Sequence, residues 1–279
     1  MIAEEAVLTA GVQVQPGRQY GFFTDTTVCI GCKACEVACK EWNMLPADDI
    51  GLTGQSYDNT GALSATTWRH VAFIEQISAN GGERVMEMQP FQSNWLMMSD
   101  VCKHCANAAC LEACPTGALF RTEFGTVVVQ GDICNGCGYC VPACPYGVIE
   151  TRKDDGRAFK CTMCYDRLTD GLMPACATAC PTQSIQFGNL DELQARADAR
   201  LATLKSQGVE SARLYGRDEG DGVGGAGAFF LLLDEPEVYG LPPDPVVTTR
   251  DLPAMWKAAA AGAAIVLGVV ASAFVGRRR

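Results

Sequence analysis

Sixteen cysteines carry most of the chemistry open to this 279-residue chain, and they fall into four groups of four. Cys29, Cys32, Cys35 and Cys39 form the first group, and Cys102, Cys105, Cys110 and Cys114 the second. Cys134, Cys137, Cys140 and Cys144 form the third, and Cys161, Cys164, Cys176 and Cys180 the fourth. Pro115, Pro145 and Pro181 follow the last cysteine of the last three groups, and no cysteine is left over. Disulfides suit short secreted domains whose cores are too small, whereas a chain of this length with 48% hydrophobic residues can bury a core unaided. Zinc takes well-separated pairs of cysteines, not a third two residues further on and a fourth before proline. Four thiolates per cubane cluster make sixteen cysteines the ligand set of four [4Fe–4S] centres. The chemistry is one-electron transfer.

Groups one and three have the C-x2-C-x2-C-x3-C spacing of bacterial two-cluster ferredoxins. There, three cysteines of a motif hold one cluster and the fourth reaches a second. Groups two and three then pair: Cys102, Cys105, Cys110 and Cys144 for one cluster; Cys134, Cys137, Cys140 and Cys114 for the next. Groups one and four pair around them. Cys29, Cys32, Cys35 and Cys180 make the third set, and Cys161, Cys164, Cys176 and Cys39 the fourth. One cluster per group in sequence order is the alternative arrangement; fold logic favours the crossed one.

The elements that must hold these groups give an α+β fold of two ferredoxin-like units, one nested inside the other, over about residues 21–188. Residues 1–20 read as an arm, with neither the basic start nor the apolar run of a secretory signal. An insertion spans about 43–95. Within it, the segment from Trp68 to Ile77 reads as one strand and Arg84 to Phe91 as another. Glu123-Phe-Gly-Thr-Val-Val-Val is a turn feeding a β-branched strand. An α/β extension with a Pro-rich spacer covers 189–253. It opens with a helix capped by Asn189, carrying Leu190, Leu193, Ala197, Leu201 and Leu204 on one face and ending at Gly208. Strands are expected near Ala212–Tyr215 and Ala228–Leu233. The Gly- and Asp-rich stretch between them has no Walker lysine, so it reads as a flexible surface loop.

The span 254–276 reads as a transmembrane helix followed by a basic tail, 277–279. Ala258 to Gly276 is a run of nineteen uncharged residues, about 28 Å of helix. Trp256 suits the headgroup boundary, and Arg277, Arg278 and Arg279 keep the tail cytoplasmic under the positive-inside rule. The expectation is a single-pass protein of the cell membrane with its body on the outer face, exported as a folded complex on another subunit's signal. Ala264, Gly268 and Ser272 give this helix a small-residue face for a membrane partner.

Net charge of −10 argues against nucleic-acid binding. Lys33, Lys40, Lys103 and Lys160 adjoin cysteines, either tuning a cluster or merely solvated. His104 reads as a neighbour of the clusters or a surface residue. Neither a hydrolytic triad nor a dinucleotide fingerprint occurs, so the chain is expected to relay electrons without itself transforming a substrate.

Longer stretches carry a family resemblance. Cys29-Ile-Gly-Cys-Lys-Ala-Cys-Glu-Val-Ala-Cys-Lys-Glu-Trp-Asn43 resembles the first motif of the iron–sulfur β subunits of respiratory formate dehydrogenases. Cys110-Leu-Glu-Ala-Cys-Pro-Thr-Gly-Ala118, Cys134 through Tyr146, and Lys160 through Arg167 with Cys176 and Cys180-Pro-Thr182 are similar to the other three. The likeness continues through Tyr215 and Val238-Tyr-Gly-Leu-Pro242 into the last helix. The cysteine pattern alone also fits four-cluster subunits of membrane hydrogenases and other molybdopterin oxidoreductases. Nitrate reductase relatives replace one cysteine with tryptophan, and this chain replaces none. Lys40 stands where the other motifs have proline, and first motifs of the family it resembles often lack that proline. The resemblance implies a molybdenum or tungsten bis-pterin catalytic subunit that oxidises formate, and a cytochrome b membrane subunit that passes the electrons to quinone.

Overall fold

The computed structural model describes residues 14–47, 51, 54, 57–77 and 93–276. Its first strand, β1 (Tyr20–Asp25), is buried along its whole length, so successive side chains must serve two different cores. Phe22 faces the core that contains the cysteines, packed with Phe187, Phe230 and Tyr20. Phe23 faces the other way, with Phe229 and Leu231.

Along the chain follow α1 (Ala34–Trp42), the long hairpin β2 (Arg69–Ile77) and β3 (Ser93–Val101), and α2 (Ala109–Glu112). A hairpin of β4 (Leu119–Arg121) and β5 (Val127–Val129) comes next, then α3 (Cys140–Ala143) and the short pair β6 (Glu150–Thr151) and β7 (Ala158–Phe159). The helices α4 (Tyr165–Thr169) and α5 (Ala175–Thr178) precede β8 (Ile185–Asn189) and α6 (Leu190–Ser206). The chain closes with β9 (Arg213–Tyr215), β10 (Ala228–Leu232) and α7 (Leu252–Gly276).

The central sheet runs β8-β1-β10-β9. β1 pairs antiparallel with β8 (Phe22 opposite Phe187) and parallel with β10 (Phe23 opposite Phe229). Strands from both sides of the boundary expected near residue 188 therefore share one sheet. Asn189 caps α6 by accepting the Asp191 N–H at 3.1 Å, Asp191 and Glu192 favour the positive end of the helix, and Gly208 follows with φ +87°. Leu193, Ala197 and Leu204 seal α6 onto Phe23 and Phe229. Burying each phenylalanine contributes roughly 1.5–3 kcal/mol.

The partner of β2 is β3, in register from Arg69 opposite Val101 to Ile77 opposite Ser93. The strand expected at Arg84–Phe91 lies outside the described residues, and β3 is a strand that the alternation of apolar residues did not flag. The nested units are visible in the helix contacts: α1 packs on α5, and α2 on α3.

The Gly- and Asp-rich stretch is not the flexible surface loop that its composition suggests. Asp221 Oδ1 accepts the N–H groups of Val223 and Gly225. The carbonyls of Val223 and Gly225 accept from Asn107 and Ala106, Ala226 bridges to Cys105, and Val223 is fully buried. Its backbone groups are satisfied by the second cysteine motif, so the loop is a buttress. A Cβ on Gly222 would lie 1.9 Å from the Pro245 carbonyl oxygen. Gly222→Ala is expected to destabilise the fold by about 1–3 kcal/mol, read as earlier thermal unfolding of the purified protein.

Candidate iron–sulfur centres

The first C-x2-C turn of each group reverses the chain at its third position. Gly31, His104, Gly136 and Met163 all have positive φ there, from 46° to 73°. The left-handed residue lets both thiols face one point; glycine adopts it freely, whereas His104 and Met163 hold it against intrinsic preference. A second left-handed residue stands three places after a fourth cysteine, at Gly117, Gly147 and Gln183. The prolines have a visible role. α2, α3 and α5 end within two residues before Cys114, Cys144 and Cys180, because the ring that follows cannot continue a helix. α1 runs on through Cys39 to Trp42 because Lys40 stands in place of proline.

Three internal spaces each gather four cysteines. Cys29, Cys32, Cys35 and Cys180 line about 290 Å³ of empty space. Cys39, Cys161, Cys164 and Cys176 line about 240 Å³, and Cys102, Cys105, Cys110 and Cys144 about 350 Å³. In the remaining set, Cys140 lies near Cys134, Cys114 and Cys137. In every set one cysteine comes from a different motif, so the structure brings the cysteines together in crossed groups. Neighbouring sets also meet: Cys35 lies near Cys176, Cys161 near Cys102, and Cys110 near Cys140. The four sets thus form a file. Among the described residues, no group of three or more Cys, His, Asp or Glu side chains closes to single-ion geometry. A cubane core needs its thiolates spread wider than a zinc ion does.

Burial makes these thiols costly to ionise. It pushes Cys35 and Cys164 up to about 11, and Cys110 to about 12. Cations buried beside them offset that cost. Lys160 (2% exposed) donates to Cys102 Sγ at 3.6 Å, to the Cys161 carbonyl at 3.0 Å and to the Val127 carbonyl. Arg69 (1% exposed) donates to Cys176 Sγ at 3.3 Å and stacks on Phe22 at 4.8 Å. Lys103 is equally buried, paired with Asp100 and set over the Tyr146 and Phe230 rings. The remaining lysines by the cysteines are half-buried: Lys33 pairs with Glu36 and Asp58, and Lys40 bonds Thr67. Asn43 reaches Cys39 Sγ at 3.7 Å and Cys164 Sγ at 4.0 Å.

His104 is buried, not at the surface. Its Nδ1 accepts the Val127 N–H at 3.0 Å, which leaves the proton on Nε2, and burial holds its pKa well below the ordinary value. Both His104 Nε2 and Arg69 Nε are buried donors with no partner among the described residues, and each residue lines one of the cysteine cavities. Soft thiolate donors, buried cations and spare N–H groups are what an anionic iron–sulfur cluster requires around it. The residues fit the group. Sequence reasoning passed over Arg69, Ser99 and Asn43, whose contacts with the cysteines come from the fold.

Two models of the 4Fe-4S dicluster domain match the chain, over residues 28–118 and 93–190. The iron–sulfur subunit of the nitrate-inducible formate dehydrogenase of Escherichia coli K12 is 41% identical over 239 residues, 84% of this chain and 76% of the relative. The formate dehydrogenase iron–sulfur subunit of Haemophilus influenzae is 40% identical over 227 residues, 80% of this chain and 68% of the relative. The chain belongs to the family of formate dehydrogenase iron–sulfur subunits. The B subunit of the anaerobic dimethyl sulfoxide reductase of E. coli is more distantly similar, 36% identical over 178 residues, 63% of this chain and 76% of its own length. Two dicluster domains and sixteen cysteines fit four [4Fe–4S] clusters in this iron–sulfur subunit, and its work is electron transfer.

Replacing Lys160 with methionine keeps the volume and removes the cation. Lys160→Met is expected to cost about 3–5 kcal/mol, as for other broken buried pairs. The check is thermal bleaching of the visible iron–sulfur absorbance, which should come at lower temperature than in the native protein.

Proposed function

We propose that this iron–sulfur subunit carries electrons from a molybdenum- or tungsten-pterin subunit that oxidises formate to a membrane cytochrome b and quinone. Its family membership supports the formate end of the path, since the relatives that cover most of the chain are subunits named for formate dehydrogenase. Each cluster, when bound, takes up and passes on one electron. The ligand sets in this reading are Cys29, Cys32, Cys35 and Cys180; Cys39, Cys161, Cys164 and Cys176; Cys102, Cys105, Cys110 and Cys144; and Cys114, Cys134, Cys137 and Cys140. The observation that carries it is the file of crossed cysteine sets. Cys32 and Cys137 are the exposed cysteines, and they belong to the two end sets. Exposed Ile30 and Val37 flank the first, Ile133 and Tyr139 the second, which suits each end for docking a redox partner.

The membrane end rests on α7. Leu252–Phe274 is a helix of 23 residues with mean hydropathy 1.8, long and apolar enough to cross a membrane. None of it is buried among the described residues, which separates it from an ordinary core helix and leaves lipid or a membrane subunit to cover it. Ser272 satisfies its hydroxyl on the Val269 carbonyl of its own helix, as hydrocarbon demands. The subunit is membrane-associated through this helix. Arg277, Arg278 and Arg279 lie outside the described residues, and the positive-inside rule puts them on the cytoplasmic side with the body opposite.

Formate added to the anaerobic, detergent-purified complex should generate reduced [4Fe–4S] signals in electron paramagnetic resonance, with about sixteen irons per subunit. Cys144→Ser and Cys102→Ser should abolish the same signal, and Cys114→Ser a different one. Signals from hydrogen but not formate would move the subunit to the hydrogenase branch; loss of different signals from Cys144→Ser and Cys102→Ser would overturn the crossed sets. Deleting residues 252–279 should release the body from washed membranes into the soluble fraction, measured by immunoblot. Retention in the membrane would place the anchor elsewhere.

A further inference from the structure

Arg69 stands between two of the cysteine sets, far in sequence from both. It comes from the first residue of β2, opposite Val101 at the inner end of the long hairpin. Nη2 donates to Cys176 Sγ at 3.3 Å, a member of the set with Cys39, Cys161 and Cys164. Nη1 donates to Ser99 Oγ at 3.2 Å and to the Ser99 carbonyl at 3.1 Å. Ser99 Oγ in turn lies 3.2 Å from Cys35 Sγ, and Cys35 belongs to the set with Cys29, Cys32 and Cys180. An unbroken line of hydrogen bonds therefore joins Cys176, the guanidinium, Ser99 and Cys35, one sulfur at each end in a different set.

A guanidinium keeps its charge at any working pH. Here it has no carboxylate partner among the described residues. Its Cζ lies 4.8 Å from the centre of the Phe22 ring and its Nε has no partner among them either, which leaves its charge to act on the sulfurs. In such a dry setting a cation acts over several ångströms with little screening. Reduction adds a negative charge to a cluster, and a fixed cation favours the more negative state. Hydrogen bonds to cluster sulfurs act in the same direction.

We propose that Arg69 is a positioning residue shared by two adjacent clusters, raising the reduction potentials of both, and that Ser99 extends its influence to the cluster held by Cys35. The inference rests on the ligand sets given above. Lys160 lies similarly between the next two sets, but it directs two of its three protons to backbone carbonyls. Arg69 bonds a sulfur of one set directly and reaches a sulfur of the other through Ser99.

The test is anaerobic redox titration of the whole detergent-purified complex, followed by electron paramagnetic resonance, in native protein and in Arg69→Gln, Arg69→Lys and Ser99→Ala. In Arg69→Gln two of the four midpoints should fall, each by at least a tenfold change in the reduction equilibrium, or about 59 mV for one electron. Arg69→Lys keeps the cation and should return both midpoints most of the way. Ser99→Ala should lower one midpoint alone. Four assembled clusters with unchanged midpoints in Arg69→Gln would overturn the proposal. Should Arg69→Gln fail to assemble, Ser99→Ala decides, and four unchanged midpoints there overturn it equally. An iron content far below sixteen in the native complex would count against the ligand sets, a failure distinct from unchanged midpoints in a fully loaded protein.

Discussion

Gathering sixteen thiols, all but Cys32 and Cys137 at least partly buried, within a body of this size is the constraint from which the rest of the structure follows. Each set is largely shielded from water, yet each carries negative charge when it holds metal, and the sets sit close enough to feel one another. The fold meets this in two ways. It borrows one cysteine per set from a distant motif, so that the helices bearing those cysteines, α1 with α5 and α2 with α3, are forced into contact. It also places cations where sets meet, Arg69 at one junction and Lys160 at the next. The phenylalanines of β1, β8 and β10 then close the apolar shell on one side, and α6 covers the reverse face of the same sheet.

Much of this was legible in the residues alone, for a specific reason. Metal ligation imposes a local spacing, and spacing is what a linear sequence displays. The four cysteine groups, the prolines that end three helices, the Asn189 cap and the apolar terminal helix are all short-range signals. What was missed is long-range. Arg69 touches Ser99 and Cys176 across 30 and 107 residues of chain, and nothing around it marks it as different from a strand's ordinary polar face. His104 was visible as a neighbour of two cysteines, but its burial depends on β5, whose Val127 N–H it accepts.

The loop near Asp221 failed for the converse reason. Its composition speaks of freedom, and glycine does supply that in an isolated chain. Here the absence of side chains serves close approach: Gly222 lies against Pro245 and Gly224 against Asn107. Polar composition describes what a segment would do alone, whereas its partners decide what it does. The same reasoning applies with opposite outcome to α7, which is apolar but for Lys257 near its start and is unburied among the described residues.

The nesting of the sets has a bearing on how the molecule comes into being. The inner two sets draw on Cys102 through Cys144, and every ligand they need lies within that stretch. The outer two wait for Cys176 and for Cys180, because they join the first motif to the last. The sheet that seals them waits longer still, for β10 at Ala228–Leu232. Cys29 to Cys39 therefore leave the ribosome before the cysteines that complete their proposed sets, with the whole inner unit made in between. In chain order the inner sets are complete before the outer ones, and the first four cysteines wait longest for their partners.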